Sequence, residues 1–181
     1  MPQMHDDVRG ACAEPKASLD AYEWDELKQI ARAIAAASCR TEGLAIARDF
    51  RLVDDEFRLT GDTKRVMLED GTTASVRILG FRHDKLANGA GKAGVSFEFA
   101  DVPVRHRMNV RATNEGGWYK SEMRGWLNSA FFGMLPHDLS ANIVEVKKRA
   151  SYRDWDGERG GVPLHGIWAM LRLNTGRSAR P

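Results

Sequence analysis

The sequence predicts an α+β fold in which amphipathic helices pack on a small, mainly antiparallel sheet. Two observations predict it. Residues 23–38 carry apolar side chains at helical spacing, and residues 64–81 place two β-favouring runs on either side of Asp70-Gly71, a pair typical of tight hairpins. The chain has 181 residues, which is enough for one domain with a sizeable core.

The first predicted element is an amphipathic helix from about 23 to 38. Acidic residues lie in its first turn and Arg40 follows its end, an arrangement that suits the helix dipole. The apolar positions fall at steps of three and four: Trp24, Leu27, Ile30, Ala31 and Ile34. Residues 39–58 fit either a short helix or an irregular strand, and the sequence leaves both open.

The next predicted elements are strands. Apolar residues alternate along both strands of the hairpin, so one face should pack on the core. These residues are Val66, Leu68, Val76 and Ile78. After a Gly-rich loop at 85–94, residues 95–99 alternate as a third strand that ends before Pro103, because proline cannot donate a hydrogen bond to a strand ladder.

The last predicted helix begins at Ser121, which lies where an N-cap belongs, and ends at Pro136. Its apolar positions again have helical spacing: Met123, Trp126, Leu127, Ala130, Phe131 and Met134. A second short turn is expected near Asp138. Residues 143–146 are either a strand or a helix end.

Composition divides the chain into a mobile leader at 1–20, a single α+β domain at 21–149, and a basic tail rich in Gly and Arg at 150–181. Residues 1–146 hold 19 basic and 22 acidic side chains, net −3, whereas residues 147–181 hold 8 and 3, net +5. The formal net charge of +2 therefore conceals two unlike segments.

The near-neutral total charge argues against a dedicated nucleic-acid binder, since such domains carry a strong basic excess. The window from Arg105 to Arg111 holds three arginines around His106, and its Asn109 could read a base. The window is short, however, and it contains no Phe, Tyr or Trp on which a base could stack. The sequence thus disfavours nucleic acid as a partner.

We expect no metal and no cofactor. Two cysteines, Cys12 and Cys39, and five scattered histidines do not form the four-ligand set of a structural zinc site. The thiols are either both free or joined in one disulfide, and the sequence does not decide between these. NGAGKAG at 88–94 departs from a phosphate-binding Walker A loop, because Lys92 is followed by Ala-Gly and a strand.

The N-terminal residues contain no apolar run of the length that a signal peptide needs, and no stretch is long enough to span a bilayer. As written, the chain is expected to stay in the cytoplasm, or to reach a particle or surface by assembly that needs no signal.

No catalytic residue is assigned from the sequence. His83, Asp84 and His106 could form a hydrolase pocket only if the fold brings them together, and adjacent residues of a strand point to opposite faces. No Ser or Cys lies in a nucleophile-elbow motif. Among the tryptophans, Trp118 and Trp155 lie in polar surroundings where they could face a ligand, although packing in the core is the commoner role.

Several motifs occur in a specific order: GDT before the hairpin, ILGFRHD at its end, and W-x-x-S-x-M-R-x-W-L-N at residues 118–128. The last is formed by Trp118, Ser121, Arg124, Trp126, Leu127 and Asn128. In these motifs the chain resembles an uncharacterised bacterial and prophage domain-of-unknown-function family (number 6273). The resemblance covers about residues 22–149, and the tail beyond Arg149 departs from the closing strands of family members.

The resemblance implies a C-type-lectin-like fold and no known enzyme activity. It implies that Ser121 caps the signature helix, that Trp126 and Leu127 lie in the core, and that Arg124 and Asn128 form polar ties to nearby loops. Family members occur in bacterial surface proteins and in prophage structural proteins.

We therefore expect a noncatalytic ligand- or receptor-recognition module of a bacterial surface or phage-derived protein, with a glycan or a protein receptor as partner. Loops on a rigid scaffold commonly carry function, and the candidate ligand-binding residues are His83, Asp84, Asn109, Arg111, Asn114 and Trp118. Two alternatives are a structural or assembly protein of a phage particle and a hydrolase that uses His83, Asp84 and His106. The sequence does not indicate the oligomeric state.

Overall fold

The structure of the chain, a computed structural model, describes residues 14–113, 115–153, 159–166 and 172–173, with side chains through residue 147. Helices lie beside small antiparallel sheets, which confirms the α+β fold class. Most of the predicted leader lies outside the described residues, as do Cys12, Asn114 and Trp155.

Helix α1 (Trp24–Ala36) confirms the first predicted helix, and its apolar stripe is buried. Its start is held by the Glu26 carboxylate, which accepts a hydrogen bond of 2.7 Å from the backbone N–H of Glu23. Helix α2 (Arg40–Asp49) follows and resolves the ambiguous stretch as a short helix. A turn then closes where Val53 pairs with Leu59 in an isolated antiparallel bridge.

Seven strands are described: β1 (Thr63–Met67), β2 (Thr73–Phe81), β3 (Lys85–Leu86), β4 (Val95–Phe99), β5 (Val146–Arg153), β6 (Arg159–Gly166) and β7 (Arg172–Leu173). One sheet has the order β1-β2-β4-β7 and the other the order β3-β5-β6. Neighbouring strands are antiparallel in both. The division into leader, domain and tail stays a prediction, although β5 runs through residue 149 and β7 pairs with β4.

The hairpin of β1 and β2 confirms the prediction made from Asp70-Gly71. Gly71 has a φ of 83°, which glycine adopts without strain, and the backbone N–H of Leu68 donates to the carbonyl of Thr72 at 2.8 Å. All four alternating apolar residues of the hairpin are buried. The predicted third strand is β4.

Four short helices follow: α3 (Gly117–Lys120), α4 (Glu122–Leu127), α5 (Ala130–Gly133) and α6 (His137–Ser140). The prediction of one helix from Ser121 to Pro136 is therefore wrong. The side-chain amide of Asn128 donates to the carbonyl of Arg124, and the hydroxyl of Ser129 donates to that of Gly125. Such side-chain bonds compete with helix continuation, and Ser129 is not helical.

Helix α1 packs on the first sheet so closely that one position requires glycine. The Trp24 ring meets Phe97 of β4 edge to face, at 5.7 Å between centroids. A Cβ on Gly94, just before β4, would lie 1.9 Å from the carbonyl oxygen of Ala31. Arg82 joins the same two elements, because its guanidinium donates to the carbonyls of Ile34 and Ala37 while its backbone N–H donates to Gly94.

Among the described residues, no helix is both long enough and apolar enough to cross a membrane.

Candidate functional site

Two open clefts lie on the irregular segment after β4, here called the cleft loop (residues 104–113). Their volumes are about 400 and 450 Å³, within the range of roughly 300–1,000 Å³ that is usual for small-ligand sites. The first is lined by Met108, Asn109, Arg111, Ala112 and Thr113. The second shares Asn109, Arg111 and Thr113, and adds Val110, Glu115, Lys120 and Glu122.

The side chain of Asn109 holds the cleft loop in shape. Its Nδ2 donates to the carbonyl of Thr113 at 2.7 Å, and its Oδ1 accepts from the backbone N–H of Glu122 at 3.1 Å. Beside it, the backbone N–H of Met123 donates to the carbonyl of Met108 at 3.0 Å. Because both ends of the Asn109 amide bond to the protein itself, this residue positions the cleft.

An aromatic row anchors the other end of the cleft loop. The His106 ring stacks on Trp126, with 4.3 Å between centroids and 12° between planes. Trp126 packs in turn against Phe131, and Phe131 meets Phe99 of β4. Stacked and edge-to-face rings each add about 0.5–1.5 kcal/mol beyond their buried area. His106 is thus placed as an anchor of the loop on α4 and α5.

Two consecutive glycines with left-handed backbone angles lie at the start of α3, where Gly116 is the N-cap and Gly117 is the first helical residue. Gly116 and Gly117 have φ values of 72° and 55°, in the left-handed region. A Cβ on Gly116 would lie 2.4 Å from Cδ of Lys120, so the lysine side chain crosses the space that only glycine leaves open. Lys120 is one of the residues that line the second cleft.

The signature residues mainly build the helices behind the cleft. The Ser121 hydroxyl accepts from the backbone N–H of Arg124 at 3.2 Å and so caps α4. Leu127 is buried, while Trp118 and Trp126 are partly buried and pack against the main core. The Arg124 guanidinium lies 5.3 Å from the centroid of the Tyr119 ring.

The second cleft carries four charged groups of balanced sign. Arg111 and Lys120 are cationic, Glu115 and Glu122 are anionic, and all four side chains are exposed. No ion pair joins any of them to another described residue. Sequence reasoning found Arg111 but missed the other three, because none of these charged residues belongs to a recognised ligand-binding motif.

His83 and Asp84 meet in the turn after β2, and the expectation that they point to opposite faces is wrong. His83 Nε2 lies 3.0 Å from Asp84 Oδ2. The reason is Arg82, whose φ of 50° breaks the strand geometry before the pair is reached. Asp84 is 3% exposed, and its Oδ2 also accepts a hydrogen bond of 2.6 Å from the hydroxyl of Ser96, which is 0% exposed.

The Gly-rich loop forms a turn that bonds to itself. The backbone N–H of Gly89 donates to Leu86, that of Leu86 donates to Gly91, and that of Ala90 donates to the side chain of Asn88. Backbone N–H groups that cradle a phosphate would have to converge outward. This pattern agrees with the interpretation of a plain loop at 88–94.

Cys39 is an exposed free thiol at the N-cap of α2. Its Sγ accepts a hydrogen bond from the backbone N–H of Glu42, which lowers the pKa of the thiol. Within the part of the chain that the structure describes, no group of three or more His, Cys, Asp or Glu side chains is placed to hold a metal ion.

The candidate residues thus fall into two places. Asn109 and Arg111 lie together at the clefts, with Trp118 partly buried in the adjoining helix. His83 and Asp84 form a contact pair in the turn after β2. Asn114 lies outside the described residues.

Residues 95–167 match a family described as "Domain of unknown function (DUF6273)". The match begins at β4, includes the cleft loop and the signature helices, and extends past Arg149 into the segment expected to depart from the family. No curated protein and no solved structure matches the chain. The match supports a domain-of-unknown-function family for this part of the chain.

Proposed function

We propose that the chain is a noncatalytic ligand- or receptor-recognition module of a bacterial surface or phage-derived protein, and that the ligand binds at the clefts of the cleft loop. The observation that carries the proposal is that both clefts share the same three residues, Asn109, Arg111 and Thr113. Asn109 holds the loop in place, the Thr113 hydroxyl accepts a hydrogen bond of 3.1 Å from the backbone N–H of Glu115, and Arg111 brings an exposed positive charge to both clefts.

Rigidity of the cleft loop supports binding. The loop is tied by Asn109 to α4 and by His106 to Trp126, so a ligand would meet a surface that is already formed. A preformed site avoids the cost of ordering a loop on binding. The exposed apolar side chains Met108 and Val110, which are 47% and 58% exposed, offer contact area beside the polar groups.

The test is binding of the purified full chain to an array of glycans and to immobilised bacterial and host surface proteins. Val110→Asp puts a charge in the second cleft. We expect it to lower the affinity for a captured partner about tenfold, equivalent to about 1.4 kcal/mol. The matched control is Met67→Asp on β1, because Met67 is also exposed, at 69%, and lines neither cleft. Equal binding by both variants and wild type would place the binding site elsewhere.

A hydrolase is a second candidate, favoured by the contact between His83 and Asp84. A buried carboxylate can orient a half-exposed imidazole as a general base. Ser96, however, is fully buried, so the attacking group in this mechanism would be water. Hydrolysis of activated esters that is abolished in both His83→Gln and His106→Gln would support this candidate, and hydrolysis retained by either variant would contradict it.

An assembly role in a phage particle is the third candidate. Val102 and Met67 are 76% and 69% exposed, and exposed apolar side chains can seat against other copies. Light scattering across a concentration series tests it, because a particle protein should self-associate while a recognition module of this kind need not.

A further inference from the structure

We infer that the second cleft takes an acidic saccharide, a ligand whose sugar rings carry a carboxylate beside free hydroxyls. This inference rests on the proposed function and specifies the class of its ligand.

The cations of the cleft select a carboxylate. Arg111 and Lys120 both line it, and neither forms an ion pair with another described residue. A guanidinium presents paired N–H donors that match the two oxygens of a carboxylate, and an ammonium adds a mobile point charge. A neutral ligand would not pair with these two positive charges, whereas a carboxylate would.

The anions of the same cleft select hydroxyl groups. Glu115 and Glu122 offer only acceptor oxygens, so each can bond to a ligand that donates. Thr113 adds a hydroxyl, and Val110 adds an apolar surface on which the C–H face of a sugar ring can lie. A saccharide supplies all three complements, since it has hydroxyl donors, a partly apolar ring and, when acidic, a carboxylate.

The balance of charge argues against a polyanion such as nucleic acid. A phosphate backbone carries a negative charge at every unit, and proteins that bind it have a strong excess of Lys and Arg. Here two cations stand beside two anions, so successive phosphates would meet Glu115 and Glu122. A ligand with isolated carboxylates can place its charge at the cations and its hydroxyls at the anions.

The experiment compares matched saccharide pairs by calorimetric titration of the full chain. One pair is an oligogalacturonate and its carboxyl-reduced form, and the other is sialyllactose and lactose. We expect at least one acidic member to bind ten or more times tighter than its neutral partner. This preference should shrink when NaCl is raised from about 50 to 500 mM, because exposed charges are screened over a few ångströms at high salt.

Two variants assign the preference to the cleft. Arg111→Gln should remove the tenfold preference for the acidic member. Arg32→Gln is the matched control, because Arg32 is an exposed arginine on α1 that lines neither cleft, and it should retain the preference.

The inference is overturned if neither acidic member exceeds its neutral partner, if Arg32→Gln removes the preference as Arg111→Gln does, or if a short oligothymidylate binds tighter than both acidic saccharides. The proposed function is judged separately, by whether Val110→Asp weakens binding to an array partner. A module that captures a neutral glycan or a protein through the cleft would keep the proposed function and overturn this inference.

Discussion

Replacing Gly94 with alanine should lower the free energy of unfolding more than the same replacement at Gly89 or Gly125. The new Cβ would lie 1.9 Å from the carbonyl oxygen of Ala31 and 2.7 Å from its carbonyl carbon, where real Cβ contacts do not fall below 3.0 Å. Both neighbours are helix backbone and cannot rotate away. Helix α1 must therefore move from the sheet by roughly 1 Å, a form of overpacking.

The cost can be estimated from what that movement strains. Overpacking typically costs about 1–3 kcal/mol. The same shift stretches the bonds by which Arg82 joins α1 to Gly94, and each such hydrogen bond is worth about 1 kcal/mol. We expect a loss of about 3–4 kcal/mol, which lowers Tm by roughly 6–16 °C in a chain of this size. Urea and thermal unfolding followed by circular dichroism measure both quantities.

Two glycine variants serve as controls. Gly89→Ala meets no atom within 4 Å, but its φ of 77° is left-handed, so it should cost roughly 1–2 kcal/mol. Gly125 is an exposed position of α4, and a Cβ there meets nothing within 4 Å, so Gly125→Ala should gain roughly 0.5–1 kcal/mol from helix propensity. If Gly94→Ala is no less stable than Gly89→Ala, that result would contradict the close approach of α1 to the chain just before β4.

Three further changes probe other contacts. The Asp20 carboxylate accepts a hydrogen bond from the backbone N–H of Arg65, which lowers the pKa of Asp20. The folded pKa therefore lies below the unfolded value of about 3.9. The stability that the ionised carboxylate contributes is present above about pH 4 and is lost as pH falls through the folded pKa. Asp20→Asn should thus lower the free energy of unfolding at pH 7 by roughly 0.5–1 kcal/mol, and a urea series should show less further loss than wild type between pH 5 and 2; an unchanged acid profile would count against it. Tyr22→Phe removes a buried hydroxyl that donates to a backbone carbonyl at 2.7 Å, and urea unfolding should show a loss of about 1–2 kcal/mol, with a loss near zero refuting the bond. Gly116→Ala puts a Cβ 2.4 Å from the Lys120 side chain, so ligand titration should show weaker binding at the second cleft, whereas unchanged affinity would exclude Lys120 from that site.

Local patterns in the sequence were enough for the first half of the fold. The apolar period of 23–38 predicted α1, and Asp70-Gly71 between alternating residues predicted the hairpin, because both signals act between near neighbours. The long helix after Ser121 was overpredicted. Its apolar period continues through 128–129, yet two polar side chains there bond back to the previous turn.

The candidate site was less accessible to sequence reasoning. The window around Asn109 and Arg111 was singled out for its residue types, and the structure places both at the clefts. The cleft residues Glu115, Lys120 and Glu122 carry no signal of their own in the sequence, and the side chain of Lys120 lies in space that Gly116 leaves open. The contact of Asp84 with Ser96 joins a turn to a strand 12 residues later in the chain.

By itself, the sequence determined the α+β class, the first helix, the hairpin and the uneven distribution of charge, because each of these follows from residue spacing or from counting. Only the tertiary structure decided which charged groups share a cleft, that His83 and Asp84 touch, and that Gly94 is needed for packing. Those facts depend on distances between residues far apart in the chain or on single backbone angles such as that of Arg82. A periodic pattern carries neither kind of information.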